Sequence, residues 1–285
     1  MSEFVYIVAE GVQDVAFLGK LLSGIHGAKR VKLLEDLEKD HATWLGTSFK
    51  WPLFSGAGTE IDRFSVPAPT FYRLPSNVLV VLRSADSISK IRSTLDTDFE
   101  SFARRSAKPV TVGIFLDSDD EPVEKRLADL EKALKEVKSV ELDMPNGLAE
   151  LTGGDPRVGV FTAPAPGVDG TLEDLLLLLG EVSFPTLTAS AKSFAEEWRA
   201  QAIDKKVTGK DWKSIKKPAG GKKAAIGAMT AVLKPGYAAQ VSIEQNDWLT
   251  DEAKKVERLK PCLDFLAKLL ASVTPEAASA PESAS

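Results

Sequence analysis

Four runs of β-branched, aliphatic and aromatic residues constrain this fold more than anything else in the chain. They are Phe4–Ala9 (FVYIVA), Val78–Leu82 (VLVVL), Pro109–Leu116 (PVTVGIFL) and Val158–Thr162 (VGVFT). None alternates polar with apolar residues, so neither face of the strand it predicts is left to water. Strands of that kind belong to parallel sheets covered on both sides. Each run is followed by a helical pattern. Val12–Ser23 carries Val15, Leu18, Leu21 and Leu22 at helical spacing, and Ile88–Phe102 reads as a helix. Glu121–Val137 carries Val123, Leu127, Leu130 and Leu134 and is opened by acidic residues and Pro122; Thr171–Leu179 has Glu173 and Asp174 in its first turn. Strand and helix in alternation predict an α/β fold, with a mostly parallel central sheet and flanking helices. In such sheets the reactive crevice lies beyond the C-terminal strand ends.

The rest of the chain departs from this rhythm. Ala28–Leu53 has helical spacing through Val31, Leu34, Leu37 and Trp44, whereas Ser55–Ser76, rich in Pro, Gly and Thr, reads as loop or short irregular strands. Residues 27–76 are therefore read as an irregular insertion in an α/β domain spanning 1–180. After Phe184 strand signals vanish: Phe194 and Trp198, then Ile226, Met229 and Val232, then Val256–Leu270 predict three or so helices, a helical C-terminal region over 181–272. The low-complexity end, 273–285, is expected to be a disordered tail.

Composition narrows the function classes. The single cysteine, Cys262, excludes a disulfide within the chain and fits a reducing compartment; beside Leu263, Phe265 and Leu266 it reads as a small buried hydrophobe. No basic segment precedes the first apolar run and no run approaches a membrane span, so a cytoplasmic protein without membrane partners is expected. The net charge of −5 does not attract nucleic acid through its mean field. Yet Arg199, Lys205, Lys206, Lys210, Lys213, Lys216, Lys217, Lys222 and Lys223 face only Asp204 and Asp211 between 199 and 223. That excess suits either phosphate contacts or a plain solvated surface. Trp212 lies inside it, where base stacking and core packing are both open readings. Pro218–Lys223 reads as a flexible basic loop or a helix–helix linker.

The chemistry lies at the strand ends. Glu10 directly follows the first strand, and E-G-V-Q-D places Asp14 four residues on, on the same side of the coming helix. Asp117 and Asp119 end the third strand as D-S-D, and alternate residues of an extended segment point the same way. Mg²⁺ takes a few carboxylates, waters and phosphate oxygens. Carboxylates clustered without a cation repel one another. The competing reading of Asp117-Ser118-Asp119-Asp120 is a helix N-cap. The two histidines, His26 and His41, have no zinc spacing, and His26 before Gly27 reads as a helix end. There is no G-x-S-x-G elbow and no P-loop.

On these motifs the chain resembles a known family. V-A-E-G-V-Q-D-V-A-F-L is similar to the opening of a TOPRIM domain, and G-I-F-L-D-S-D-D to its D-x-D strand. F-T-A-P-A-P-G-V-D-G-T-L-E-D-L-L-L resembles a stand-alone branch of overcoming-lysogenization-defect (OLD-like) TOPRIM proteins of unknown function, which lack an ATPase domain; the likeness spans about 4–235. The resemblance implies a TOPRIM-like, Rossmann-like sheet. It implies Glu10 as general base or metal ligand and Asp117 and Asp119 as ligands of Mg²⁺ or Mn²⁺. Asp14 and Glu173, with Asp174 beside it, would be further ligands, and Lys222 or Lys223 a cation for transition-state charge. The implied function is a metal-dependent nuclease or phosphodiesterase acting on DNA or RNA, in phage defence or RNA processing, with a protein partner or homodimer allowed. The alternative is a catalytically silent module that binds a nucleotide or a protein partner, or a structural subunit of a defence complex. One departure stands out: TOPRIM domains usually carry a glycine at the end of their second strand, and here L-V-V-L-R-S-A-D puts Ser84-Ala85 there.

Overall fold

The computed structural model describes residues 3–48, 68–105, 107–118, 122–204 and 210–273. In chain order the elements are β1 (Glu3–Ala9), α1 (Val12–His26), β2 (Lys29–Val31), α2 (Lys39–Ser48), β3 (Thr70–Arg73), β4 (Leu79–Ser84), α3 (Ile91–Ala103) and β5 (Lys108–Asp117). There follow α4 (Val123–Lys135), β6 (Arg157–Ala163), α5 (Leu172–Ser183), α6 (Pro185–Ile203), α7 (Gly220–Leu233), α8 (Ala239–Gln245) and α9 (Lys260–Ala271). The sheet has six strands in the order β2-β3-β4-β1-β5-β6. The inner pairs β4·β1, β1·β5 and β5·β6 are parallel, and β2 and β3 add an antiparallel edge. The four apolar runs form the four parallel strands.

The expectation of an irregular insertion over 27–76 is corrected in part. Residues 29–31 pair with 71–73 and extend the sheet. A three-residue strand is too short to show a period of two, so it was hidden in an apparently helical rhythm. Helix α2 does occupy the second half of that rhythm. The Pro- and Gly-rich stretch falls mostly on residues 49–67, outside the described residues.

Alternation along β1 separates two apolar layers. Val5, Ile7 and Ala9 face α1, α5, α7 and α9, while Phe4, Tyr6 and Val8 face α2, α3 and α4. The helices after β1 and β5 therefore lie on opposite faces although the two strands are neighbours. Connections that depart to opposite sides leave a crevice between the C-terminal ends of the two strands. This is where the sequence places Glu10 and Asp117.

The C-terminal helices do not stand apart from the sheet. Gly113 and Gly159 pair across β5 and β6 and form a bare shelf for α9. A side chain at Gly113 would come 2.7 Å from Leu269 Cδ1, and one at Gly159 would come 2.6 Å from Leu151 Cδ2 and 2.9 Å from Phe265 Cε2. Phe115, Phe161 and Phe265 stack beside this shelf at centroid separations of 5.2 and 5.4 Å. Cys262 is fully buried beside them, as its apolar surroundings predicted, and burial holds its thiol above the usual range. Among the described residues no strand follows Ala163, and no helix is long and apolar enough to cross a membrane.

Candidate functional site: an acidic cleft at the strand ends

Main-chain bonds bring the ends of β4, β1 and β5 level. Ala85 N–H donates to Ala9 O at 2.9 Å and Glu10 N–H to Phe115 O at 3.1 Å. Glu10 thus leaves β1 beside Asp117, the last residue of β5. Asp117 Oδ1 accepts the first amide of α5, Leu172 N–H, at 2.7 Å, which locks the carboxylate over that helix end. Asp14, in the first turn of α1, folds back to accept Gly11 N–H at 2.6 Å. A Cβ at Gly11 would approach the same carboxylate to 3.0 Å, so glycine keeps this turn close. On α5, Asp174 accepts Thr171 N–H at 3.0 Å as part of a capping box, and Glu173 beside it lines the crevice. The result is a cleft of about 360 Å³ walled by Glu10, Asp14, Asp86, Asp117, Glu173 and Lys223.

The carboxylates act on one another. Burial, then the charges of Glu10 and Glu173, push the Asp14 carboxyl up to about 7 against the opposing Gly11 amide. Burial, then Asp14 and Glu173, push Asp117 up to about 8, with the Leu172 amide opposing and Glu10 adding to the rise. Asp14 and Glu173 are each only 6% exposed, and Glu173 Oε2 is buried without a hydrogen-bond partner among the described residues. A buried orphan carboxylate oxygen is costly unless a cation or donor meets it. One cation is already paired with the group: Arg126 Nη1, on a buried side chain of α4, lies 3.3 Å from Glu10 Oε2.

Among the described residues, no three His, Cys, Asp or Glu side chains are drawn together as a ligand set. The physical reason is local: Asp14 and Asp117 each hold a backbone amide, Glu10 holds Arg126, and like charges stand off. The donor chemistry fits a hard divalent ion nonetheless. All the acidic groups offer oxygen, and Glu173 Oε2 is without a partner. Glu10, Asp14, Asp117 and Glu173 are the residues that would hold Mg²⁺ or Mn²⁺, with water in the remainder of its shell.

The structure thus gathers Glu10, Asp14, Asp117 and Glu173. Asp119 lies outside the described residues. Lys222 does not line the cleft: its Nζ lies 2.7 Å from Asp174 Oδ1, so this pair clamps α7 to the capped end of α5, and Lys223 lines the wall instead. The Pro218–Lys223 stretch runs directly into α7, which begins at Gly220. Sequence reasoning missed Arg126. Its signal was a cation three residues after Val123 and four before Leu130, on the apolar stripe of α4. In the turn after β4, Asp86 adopts a left-handed φ of 69°, a conformation Asp tolerates better than most residues. Arg83 turns away to Asp98 at 3.2 Å, and Tyr6 Oη donates to the same Asp98 Oδ2 at 2.6 Å.

These features define an α/β protein with an acidic cleft at the switch point of its sheet. The chain belongs to the family described as protein of unknown function (DUF3226), whose model matches residues 5–270. No curated protein matches it. Its fold is similar to the crystal structure of a hypothetical protein from Pyrococcus horikoshii OT3, with a TM-score of 0.53 and 18% identity over 96% of this chain and 100% of that one. At that identity the likeness concerns the fold alone.

Proposed function

We propose that this chain is a Mg²⁺- or Mn²⁺-dependent phosphodiesterase of nucleic acid, built on a TOPRIM-like acidic site of the OLD-like kind. The observation that carries the reading is the convergence of Glu10, Asp14, Asp117 and Glu173 on one cleft, with an unsatisfied buried Glu173 oxygen and mutually raised carboxyls. The bound cation would neutralise phosphoryl oxygens and activate water. The chain's own groups supply the rest. Glu10, which lines the crevice, would take a proton from water at its carboxylate or ligate the cation. Arg126 pairs with Glu10 and orients it. Lys223, which lines the cleft, adds a cation. The Leu172 amide keeps Asp117 aimed along the end of α5.

A second reading is a silent nucleotide- or partner-binding module. It is favoured by the open ligand arrangement and by Ser84-Ala85 at the usual glycine position. Incubation of single- and double-stranded DNA and RNA with Mg²⁺ or Mn²⁺, beside Glu10→Gln and Asp117→Asn, separates the two. Cleavage that both substitutions abolish supports the enzyme. Cleavage that survives both removes the site, and stoichiometric nucleotide binding without turnover supports the module.

A further inference from the structure

Outside the cleft, a second group of residues remains without a role. The indoles of Trp198 on α6 and Trp212 in the short 3₁₀ turn before α7 stack at 5.8 Å between centroids and 18° between planes. Both stay partly exposed, and Phe194, one turn earlier on α6, is 55% exposed. Core packing therefore explains only one face of this aromatic group. Around it the chain from Lys210 to Lys223 carries six lysines against one acidic residue, Asp211. Lys210, Lys213, Lys216 and Lys217 are exposed, and among the described residues no carboxylate pairs with them. This is a local reversal of sign in a chain of net charge −5.

The basic aromatic surface leads to the cleft. Arg199, next to Trp198, crosses the first turn of α7, where a Cβ at Gly221 would come 3.0 Å from Arg199 Cδ. Two residues further on, Lys223 lines the acidic wall. Lys222 between them fixes this turn to α5 through Asp174. The helix that carries Trp198 thus meets the first turn of α7, and that turn reaches the cleft at Lys223.

We propose that Phe194, Trp198 and Trp212, with Lys213, Lys216 and Lys217, form a platform that binds a single-stranded segment of nucleic acid and feeds it to the acidic cleft, an inference that rests on the phosphodiesterase reading. The lysines meet the phosphates and an unpaired base stacks on the indole group. Stacking of this kind needs a base face that a duplex hides, and it is tolerant of sequence. A protein partner is disfavoured because interfaces between proteins are depleted in lysine. The aromatic groups lie outside the strand-end acidic motifs, so the platform is a separate site.

The test is fluorescence anisotropy of labelled oligonucleotides with the Asp117→Asn protein in chelator, where cleavage cannot occur. A single strand should bind at least tenfold more tightly than a duplex of equal length. Trp212→Ala should weaken single-strand binding roughly tenfold or more while Trp212→Phe retains most of it. The double variant Lys216→Glu/Lys217→Glu, at exposed positions that folding does not need, should lower the salt slope by about 0.7 for each phosphate that is no longer neutralised. Equal affinity for duplex and single strand, or single-strand affinity unchanged in Trp212→Ala and the lysine variant, overturns the platform. Either result with wild-type cleavage intact leaves the enzyme reading standing. Binding as expected, with wild-type protein and Mn²⁺ leaving the strand uncut, keeps the platform and removes the enzyme.

Discussion

Replacing Asp117 by Asn should stabilise the metal-free protein in alkali, the reverse of the usual effect of altering a buried polar residue. Asp117 is carried from 3.8 to about 8 by burial and by the charges of Asp14 and Glu173. A folded value above the unfolded one means that the fold favours the protonated carboxyl. Its contribution is complete below about pH 4 and is lost as pH rises towards about 8. At about 1.4 kcal/mol for each tenfold change, the full ionisation penalty is on the order of 6 kcal/mol. Asp14 shares the same repulsion and the cleft admits water, so the part removed by a single Asn is about 2 kcal/mol. The Asn Oδ1 can still accept Leu172 N–H, so the end of α5 keeps its partner. For a chain of this size the gain corresponds to a melting point roughly 5 °C higher. Thermal unfolding in chelator should therefore show the variant above wild type at about pH 8.5, with the gap narrowing as pH falls and closing at about pH 4. Millimolar Mg²⁺ should raise wild type at the higher pH and leave the variant nearly unmoved. A variant equal to or less stable than wild type in alkaline chelator would refute the reasoning, because Asp117 would then not sit in a buried, self-repelling group.

Three further outcomes rest on the packing and on the ion pair of Glu10. Phe265→Ala, which empties the stack on Phe161 over the Gly113–Gly159 shelf, should cost about 3–5 kcal/mol in urea unfolding. Tyr6→Phe removes one of the donors to Asp98, whose carboxyl burial raises above its ordinary range, and should cost about 1.5–3 kcal/mol at neutral pH. That loss should shrink in acid, where the folded protein holds Asp98 protonated. Arg126→Leu leaves Glu10 without its guanidinium and should lower cleavage by roughly 100-fold, with little change in global stability to denaturant.

The parallel heart of the sheet was legible because β1, β4, β5 and β6 are covered on both faces, and their sequences are accordingly apolar without interruption. The edge was not. β2 has three residues and takes its place from pairing with β3, so its identity lies in contacts some forty residues away rather than in its own pattern. The acidic motifs of β1 and β5 were legible as strand-end punctuation, and the sheet register brings them side by side. Glu173 was legible as a helix-start carboxylate, but its entry into the cleft follows from where α5 docks. Lys222 and Lys223 could not be told apart in sequence. They are neighbours on a helix, about 100° apart around its axis, and only the position of Asp174 decides which one is tied down. Arg126 was overlooked because a long basic side chain on an amphipathic helix is ordinarily read as solvated, and here it is buried and paired with Glu10.

The central claim is that residues distant in the chain, Glu10, Asp14, Asp117 and Glu173, jointly chelate a divalent ion. Anomalous diffraction from crystals grown with Mn²⁺ tests it directly. The expected result is a strong peak inside the cleft, in contact with Asp117 and Glu173. Well-ordered side chains around a cleft that shows no anomalous signal at millimolar Mn²⁺, or a peak only elsewhere on the molecule, would contradict it.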